Sequence, residues 1–555
     1  MSRARGRAKM RLPVSDFVIL DDGAEARVKM NSAIQTALQE WAEILPADAV
    51  LTGDSLAHYQ VNCLSLTRNI YAALQPRSEA DVLAIVRIAN RRQVPLYTVS
   101  TGHNWGYGSA LPVRDDCAIV DLSRMNRILD MDSELGLITL EPGVTQKQLF
   151  DYLDSHHLDF FVPTTGAGPT ASLVGNALDR GFGMTPDEDH FRAVTSLRAI
   201  LPNGTVYRSY ISEIGAGASA VWKWGIGPYL DGLFSQGNMG IVTSMQISLV
   251  RRPEHIEVYL FTLKDAADFA KLTESCRNLT ADLRGHVGGI KIINQKQIEL
   301  TIGSRDIGMS LAADFAWMGF GVIRCKRSMI GSIRREVRRA LPDVSRIVFV
   351  NESRVKWLRK VRIFVPGKRG KLLKEQLDRM DHLLDIVNGI PRGLELKLVY
   401  KHVPMPDVLP LDPVRDGVGI IWYAPVLPFK TEVIAGMVEM IKDTLRKYGF
   451  DEAVSLTIIN EKCAMGVIPI LYRRPEDKSQ AHRCFHELWQ RGNELGCHPY
   501  RINVEAMPEM ANTPNSPYWE LVHTIKAAID PNDILSPGRY GRLVSDPAVT
   551  AVEAN

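Results

Sequence analysis

Cysteine is scarce and scattered. Seven occur in 555 residues (Cys63, Cys117, Cys276, Cys325, Cys463, Cys484 and Cys497), an odd number with no CxxC pair. That pattern excludes a disulfide framework and points to a reducing compartment, so a cytoplasmic location is expected. Long apolar runs are missing too: no stretch of 18 or more exists, and no membrane span is expected. The first residues, MSRARGRAKMRLPVSDF, are basic but lack the apolar segment of a secretory signal, and residues 1 to about 15 read as a disordered arm. Charge of one sign is not in excess. Lys and Arg total 66 against 63 Asp and Glu, for a net +3, so no global field directs the chain to nucleic acid. No H-E-x-x-H is present. His482 and His486 are four apart in a helical pattern but lack a third ligand, so no metal site is expected. There is no internal repeat and no low-complexity tract.

What remains is an ordinary globular composition, 45% hydrophobic and 23% charged, long enough for two to four lobes. In SEADVLAIVRIANRRQVPLYTVS, Ser78 caps a helix whose Val82, Ile85, Val86 and Ala89 share one face. Pro95 ends it, and LYTVS is a strand. CAIVDL is a second strand. ITLEPGVTQKQLFDYLDSH is a strand, a turn and a helix, with Thr145 and Gln148 as a capping box. LRAILPNGTVYRS is a hairpin about Asn203-Gly204, and GIVTSMQISLV is a strand. From about 255 to 497, strands are expected at VYLFTL, RIVFV, LELKLVY, VGIIWYAP and AMGVIPILY, with charged helices such as SIRREVRRAL and KLLKEQLDRMDHLLDIV between them. The basic residues from Arg334 to Lys374 read as solvated helix faces. Helices and strands mixed without a regular β-α-β rhythm predict an α+β fold, with an antiparallel sheet flanked by helices in the second part.

The motifs are glycine-rich. GAGASA (215–220) matches G-x-G-x-x-A, but no buried strand precedes it and no helix follows, so it is read as a loop. Three other stretches are more informative: STGHNWGYG (100–108), PTTGAGPTASLVGNALDRGFGMTP (163–186) and SQGNMGIVTSMQ (235–246). Glycine lets backbone amides approach an anion closely. Three such loops without a Walker lysine suggest a large phosphate-bearing cofactor laid across all of them.

With EPGVT (141–145), KWGIGPYLDGLFSQGNMGIVT (223–243), HPYRINVEAM and AIDPNDILSPGRYG in the same order, these stretches resemble the vanillyl-alcohol oxidase and p-cresol methylhydroxylase family. The resemblance covers roughly residues 75–250 and 415–542. It implies a two-lobed FAD-binding part made of residues 1–252 and 498–555, and a cap over residues 253–497 that covers the flavin. It implies FAD contacts at Ser100, Thr101, Gly102, His103, Asn104, Trp105 and Gly106. A second set is Pro163, Gly168, Ser172, Gly175, Asn176 and Gly181; a third is Gly240, Ile241, Val242 and Arg539. Trp422 falls in the substrate pocket.

Tyr107, Tyr500 and Arg501 fall where the family holds a phenolate oxygen. Taken singly, they are a packed loop aromatic and a strand end. Together they make chemical sense, since one guanidinium and two hydroxyls stabilise an anion whose parent phenol has a pKa near 10. The phenolate drives hydride loss from the benzylic carbon to flavin N5, giving a p-quinone methide. The expected activity is oxidation of a para-substituted phenol. A flavin enzyme for a non-phenolic alcohol or hydroxy acid, and a flavin-binding assembly subunit, are the alternatives. Oxygen or a cytochrome is expected to take the electrons, and a homodimer or larger homo-oligomer is expected.

Two departures from the family stand out. TTGAGPTAS lacks the carboxylate that one branch places beside the flavin, which leaves any base unassigned. In GVGIIWYAP, Ile420 sits near the position where some members carry a tethering histidine of the cap, and isoleucine cannot form that bond. STGH has the form of another tether in the wider superfamily, so His103 is the expected covalent anchor of FAD.

Overall fold

The helix expected after Ser78 spans Glu79–Arg92, and the Ser78 side chain accepts from the Asp81 amide. Its buried Val82, Ile85, Val86 and Ala89 form the apolar face, and the chain leaves through Gln93 in the left-handed conformation. The strand Leu96–Val99 follows and ends where the first glycine loop begins. The computed structural model describes residues 32–186, 189–209, 218, 221–302, 315–362, 365 and 367–543. The N-terminal arm and nearly all of GAGASA lie outside those residues.

Three sheets organise the described chain, and the fold is α+β. The first runs Val50–Leu51, Ile70–Leu74, Cys117–Asp121, Leu96–Val99, its last three strands parallel. The second runs Ile128–Asp132, Leu137–Leu140, Ile241–Ser248, Val194–Ile200, Val206–Arg208 and is antiparallel. It contains the hairpin read from Asn203-Gly204. The Thr145/Gln148 capping box opens the helix Gln146–Ser155 as expected.

The third sheet is the largest. Its path is Arg346–Val350, His255–Leu263, Trp317–Cys325, Val287–Asn294, Ser455–Ile458, Cys463–Tyr472, Gly419–Tyr423, and Val426–Pro428 also pairs with Cys463–Tyr472. Alternation assigns its faces. Ile290, Ile292, Leu456 and Ile458 point into a core shared with the helices Phe269–Asp282 and Thr431–Lys447. Four of its strands (Val287–Asn294, Trp317–Cys325, Val426–Pro428 and Ser455–Ile458) were not expected from sequence. In the other direction, LELKLVY is not a strand. Leu394–Val399 is a 3₁₀ helix entered through left-handed Gly393, because Gly393 packs on Pro169 and Leu396 on Gly168, so loop packing overrides the alternating pattern.

Two segments far apart in sequence meet at the first sheet. Leu96 bridges Leu535, with the Leu96 amide on the Ile534 carbonyl (2.7 Å) and the Ser536 amide on the Leu96 carbonyl (2.7 Å). Ile534 and Leu535 are fully buried in the core under that sheet. No helix among the described residues is long and apolar enough to cross a membrane. No disulfide joins any of the cysteines among the described residues.

Candidate active site

A cavity of about 390 Å³ lies between the glycine loops and the largest sheet. Most of the residues singled out in the sequence converge on its wall. Ser100 to Trp105 and Tyr107 line it, as do Ser172, Gly175, Asn176 and Gly181. Gly240, Ile241, Val242, Trp422, Tyr500, Arg501 and Arg539 complete that set. Gly106, Pro163 and Gly168 do not reach the wall. Gly106 acts from behind. It is left-handed (φ +76°), and a Cβ there would lie 2.4 Å from Cδ1 of Trp422, so only glycine lets the loop pass the indole.

The helix Leu173–Leu178 is capped by Ser172, whose Oγ accepts from the Gly175 amide at 2.8 Å. A Cβ on Gly175 would come within 2.9 Å of the Ser100 hydroxyl, so the two glycine loops touch. Asp179, at the end of that helix and nearly fully buried, ties three segments together. It accepts from Asn104 (2.8 Å) and from Arg539 (2.5 Å), while Arg539 also donates to the Tyr97 hydroxyl (3.1 Å). Burial works against the Arg539 charge, but Asp179, Tyr97 and Tyr540 together outweigh it and hold the guanidinium protonated.

His103 stacks on Trp105 (5.0 Å) and its Nδ1 lies 3.2 Å from the Thr170 carbonyl. Burial lowers its pKa, so the ring is neutral near pH 7. A neutral ring whose Nδ1–H donates to that carbonyl keeps a lone pair on Nε2. Ile420, by contrast, is a buried strand residue on the same wall.

At the far end, Arg501 lies over the rings of Tyr107 (4.1 Å) and Tyr500 (5.2 Å). Tyr500 is positioned by its amide on the Ala424 carbonyl (3.1 Å), by Gln236 on its own carbonyl (2.9 Å), and by the edge of Phe182 (5.3 Å). Burial pushes the Tyr500 hydroxyl well above its ordinary pKa, so it stays a donor. Burial also opposes the Arg501 charge, but the two tyrosines and Asp179 outweigh it and the guanidinium stays charged. Arg501 Nε and Trp105 Nε1 are buried without a partner among the described residues. Such orphaned donors fit a ligand that brings acceptors.

Sequence reasoning missed Asp179, Lys291 and Glu395. Asp179 was within reach, in the quoted stretch GNALDRG. Lys291 reaches the wall from a strand that was not expected, and Glu395 from the segment misread as one. Glu395 is the closest neighbour of a Cβ placed on Gly166, at 3.9 Å. It stands where TTGAGPTAS has no acid of its own. The two histidines of the Lys478–Glu494 helix are structural. His482 Nδ1 pairs with Glu505 (2.5 Å) and Nε2 meets the Leu64 carbonyl (3.0 Å), and no metal-binding group occurs among the described residues.

Comparison with known proteins fits this geometry. A model of the FAD binding domain matches residues 71–210. The chain is 32% identical over 531 residues to 1'-carboxy-chondrochloren decarboxylase of Chondromyces crocatus, covering 91% of this chain and 97% of that protein. It is 30% identical over 520 residues to the 4-cresol dehydrogenase (hydroxylating) flavoprotein subunit of Pseudomonas putida, covering 91% and 95%. The crystal structure of p-cresol methylhydroxylase with substrate bound superposes with a TM-score of 0.81 at 26% identity, covering 93% and 98%. The chain belongs to the p-cresol methylhydroxylase-type family of FAD-dependent oxidoreductases. Its cofactor is FAD, and it is an enzyme that acts on a small molecule.

Proposed function

We propose that this enzyme oxidises a para-substituted phenol. The observation that carries the reading is the stacked Tyr107, Arg501 and Tyr500 set, buried at one end of the cavity with Arg501 Nε unpartnered. A charged guanidinium and a protonated hydroxyl there stabilise a phenolate oxygen and lower the pKa of the bound phenol. Trp422 forms the adjoining wall and, held by Gly106, fixes the plane in which a ring can lie. Bound FAD supplies the oxidant that accepts the benzylic hydride. Glu395 is the proton acceptor that the 164–172 stretch lacks. With the phenolate pinned at Arg501, the substrate becomes a p-quinone methide. Water added to it, with its proton passed to Glu395, gives an alcohol; proton loss from the side chain gives an alkene.

Residues 1–252 and 498–555 form the FAD-holding part in this reading, and 253–497 the cap. His103 anchors the flavin covalently through its free ring nitrogen. The names of the relatives support a phenolic substrate in one case and a carboxylated one in the other. The test is anaerobic mixing of the yellow protein with a panel of para-alkylphenols, followed by air. Bleaching by phenols, but not by their O-methyl ethers or by 2-hydroxy acids, is the expected result. Recovery of colour in air identifies oxygen as an acceptor, and failure to recover calls for a cytochrome. Bleaching by hydroxy acids alone would overturn the reading.

A further inference from the structure

Among the described residues, Lys291 is the only cation that the largest sheet contributes to the cavity wall. It sits in Val287–Asn294 between Ile290 and Ile292, both fully buried on the opposite face, so strand alternation drives the lysine toward the cavity. Its cross-strand neighbours are Thr457 and Phe320. Among the described residues its ammonium makes no hydrogen bond and no ion pair within 4.0 Å. Thr457, buried and on the same wall, also has no side-chain hydrogen bond. Glu395 acts on Lys291 only at longer range. Burial lowers the lysine pKa and raises that of Glu395, each disfavouring its own charge, so the two do not form a settled pair. A half-buried ammonium on the cavity wall and, on the next strand, a hydroxyl directly across from it, both with unmet donors, are a site for an anion.

Position on the sheet tells which part of the ligand that anion is. Tyr500 hangs from Ala424, just past the strand Gly419–Tyr423. Lys291 lies three strands away, across Cys463–Tyr472 and Ser455–Ile458. Three steps of about 4.8 Å put the two backbones roughly 14 Å apart, less the reach of both side chains. A cresol-sized ligand under Arg501 would leave Lys291 unmet, whereas a phenol with a short side chain reaches both.

We propose that Lys291, with Thr457, binds a carboxylate on the para side chain, so that the substrate class is 4-hydroxyphenyl compounds with a short carboxylated side chain. This rests on the phenol reading above, and the two fail separately. The probes are trans-4-hydroxycinnamate, its primary amide, and trans-cinnamate; none has a saturated benzylic carbon to give up hydride. Calorimetric titration of the holoenzyme is the measurement. The acid should bind roughly 10- to 100-fold more tightly than the amide, the range expected for a charge-assisted contact. That preference should collapse in Lys291→Met and persist in Lys291→Arg, with flavin absorbance confirming that each variant is folded. Equal binding of acid and amide to the wild type, or an undiminished preference in Lys291→Met, overturns the proposal. If cinnamate binds as tightly as 4-hydroxycinnamate, the phenol clamp falls and with it the 4-hydroxyphenyl part of the class, while the acid-to-amide ratio still decides the lysine.

Discussion

Glu395 faces Gly166: a side-chain carbon placed on that glycine would lie 3.9 Å from the Cβ of Glu395. An acid thus faces this acid-free loop from a 3₁₀ turn more than two hundred residues later in the chain. Burial raises its pKa above the ordinary carboxyl value, with Lys291 opposing the shift. A base works only when ionised, so kcat/KM should be full above that raised pKa and be lost as pH falls through it. Glu395→Gln should remove this acid limb and lower the rate roughly 10²- to 10⁴-fold. An unchanged pH profile in the variant would assign the limb to another group.

Arg501→Ala should weaken phenol binding or turnover by about 1.5–3 kcal/mol, or one to two decades, without expelling FAD. Tyr500→Phe should cost less, since it removes one neutral hydroxyl. An ultraviolet titration of a bound, non-reacting phenol should show its pKa below about 10 in the wild type and higher in Arg501→Ala. Wild-type kinetics in both variants would exclude the clamp.

Acid precipitation should carry the yellow colour into the pellet, and His103→Ala should release it to the supernatant. The neutral imidazole held at the Thr170 carbonyl is the reason. Colour that stays in the pellet of the variant would place the bond elsewhere.

Gly106→Ala should destabilise the protein by about 1–3 kcal/mol through its left-handed backbone alone. The clash with Trp422 should add to that, because the new methyl needs the space of the indole edge. Differential scanning calorimetry of the holoenzyme measures the first effect, and phenol affinity reports the second. A variant with unchanged melting and unchanged affinity would show that the loop and indole yield freely.

Much of the chain before residue 252 was legible because it is built from local signals. Ser78, Thr145 and Asn203-Gly204 each act within a few residues, and the caps and hairpin lie where those residues put them. Glycine loops likewise advertise close backbone approach in their own composition. The cap side was harder. VGGIKIIN carries two glycines and a lysine, and its strand exists because Ser455–Ile458 and Trp317–Cys325 flank it. LELKLVY alternates like a strand, yet it turns as a 3₁₀ helix because Gly168 and Pro169 occupy the space beside it. Lys291 and Glu395 were hidden for the same reason: each matters only through a partner distant in sequence.

The bridge between Leu96 and Leu535 has a consequence for biogenesis. Tyr97 and Arg539 meet across 442 residues of chain, and Arg539 stands on the wall of the cavity that the first glycine loop opens. A ribosome that has released only the first half of the protein has therefore made most of the glycine-loop wall of the cavity but not the segment that closes it. Full-strength flavin capture should therefore need residues 534–539, and a chain cut short before residue 534 should emerge colourless even with every glycine loop in place.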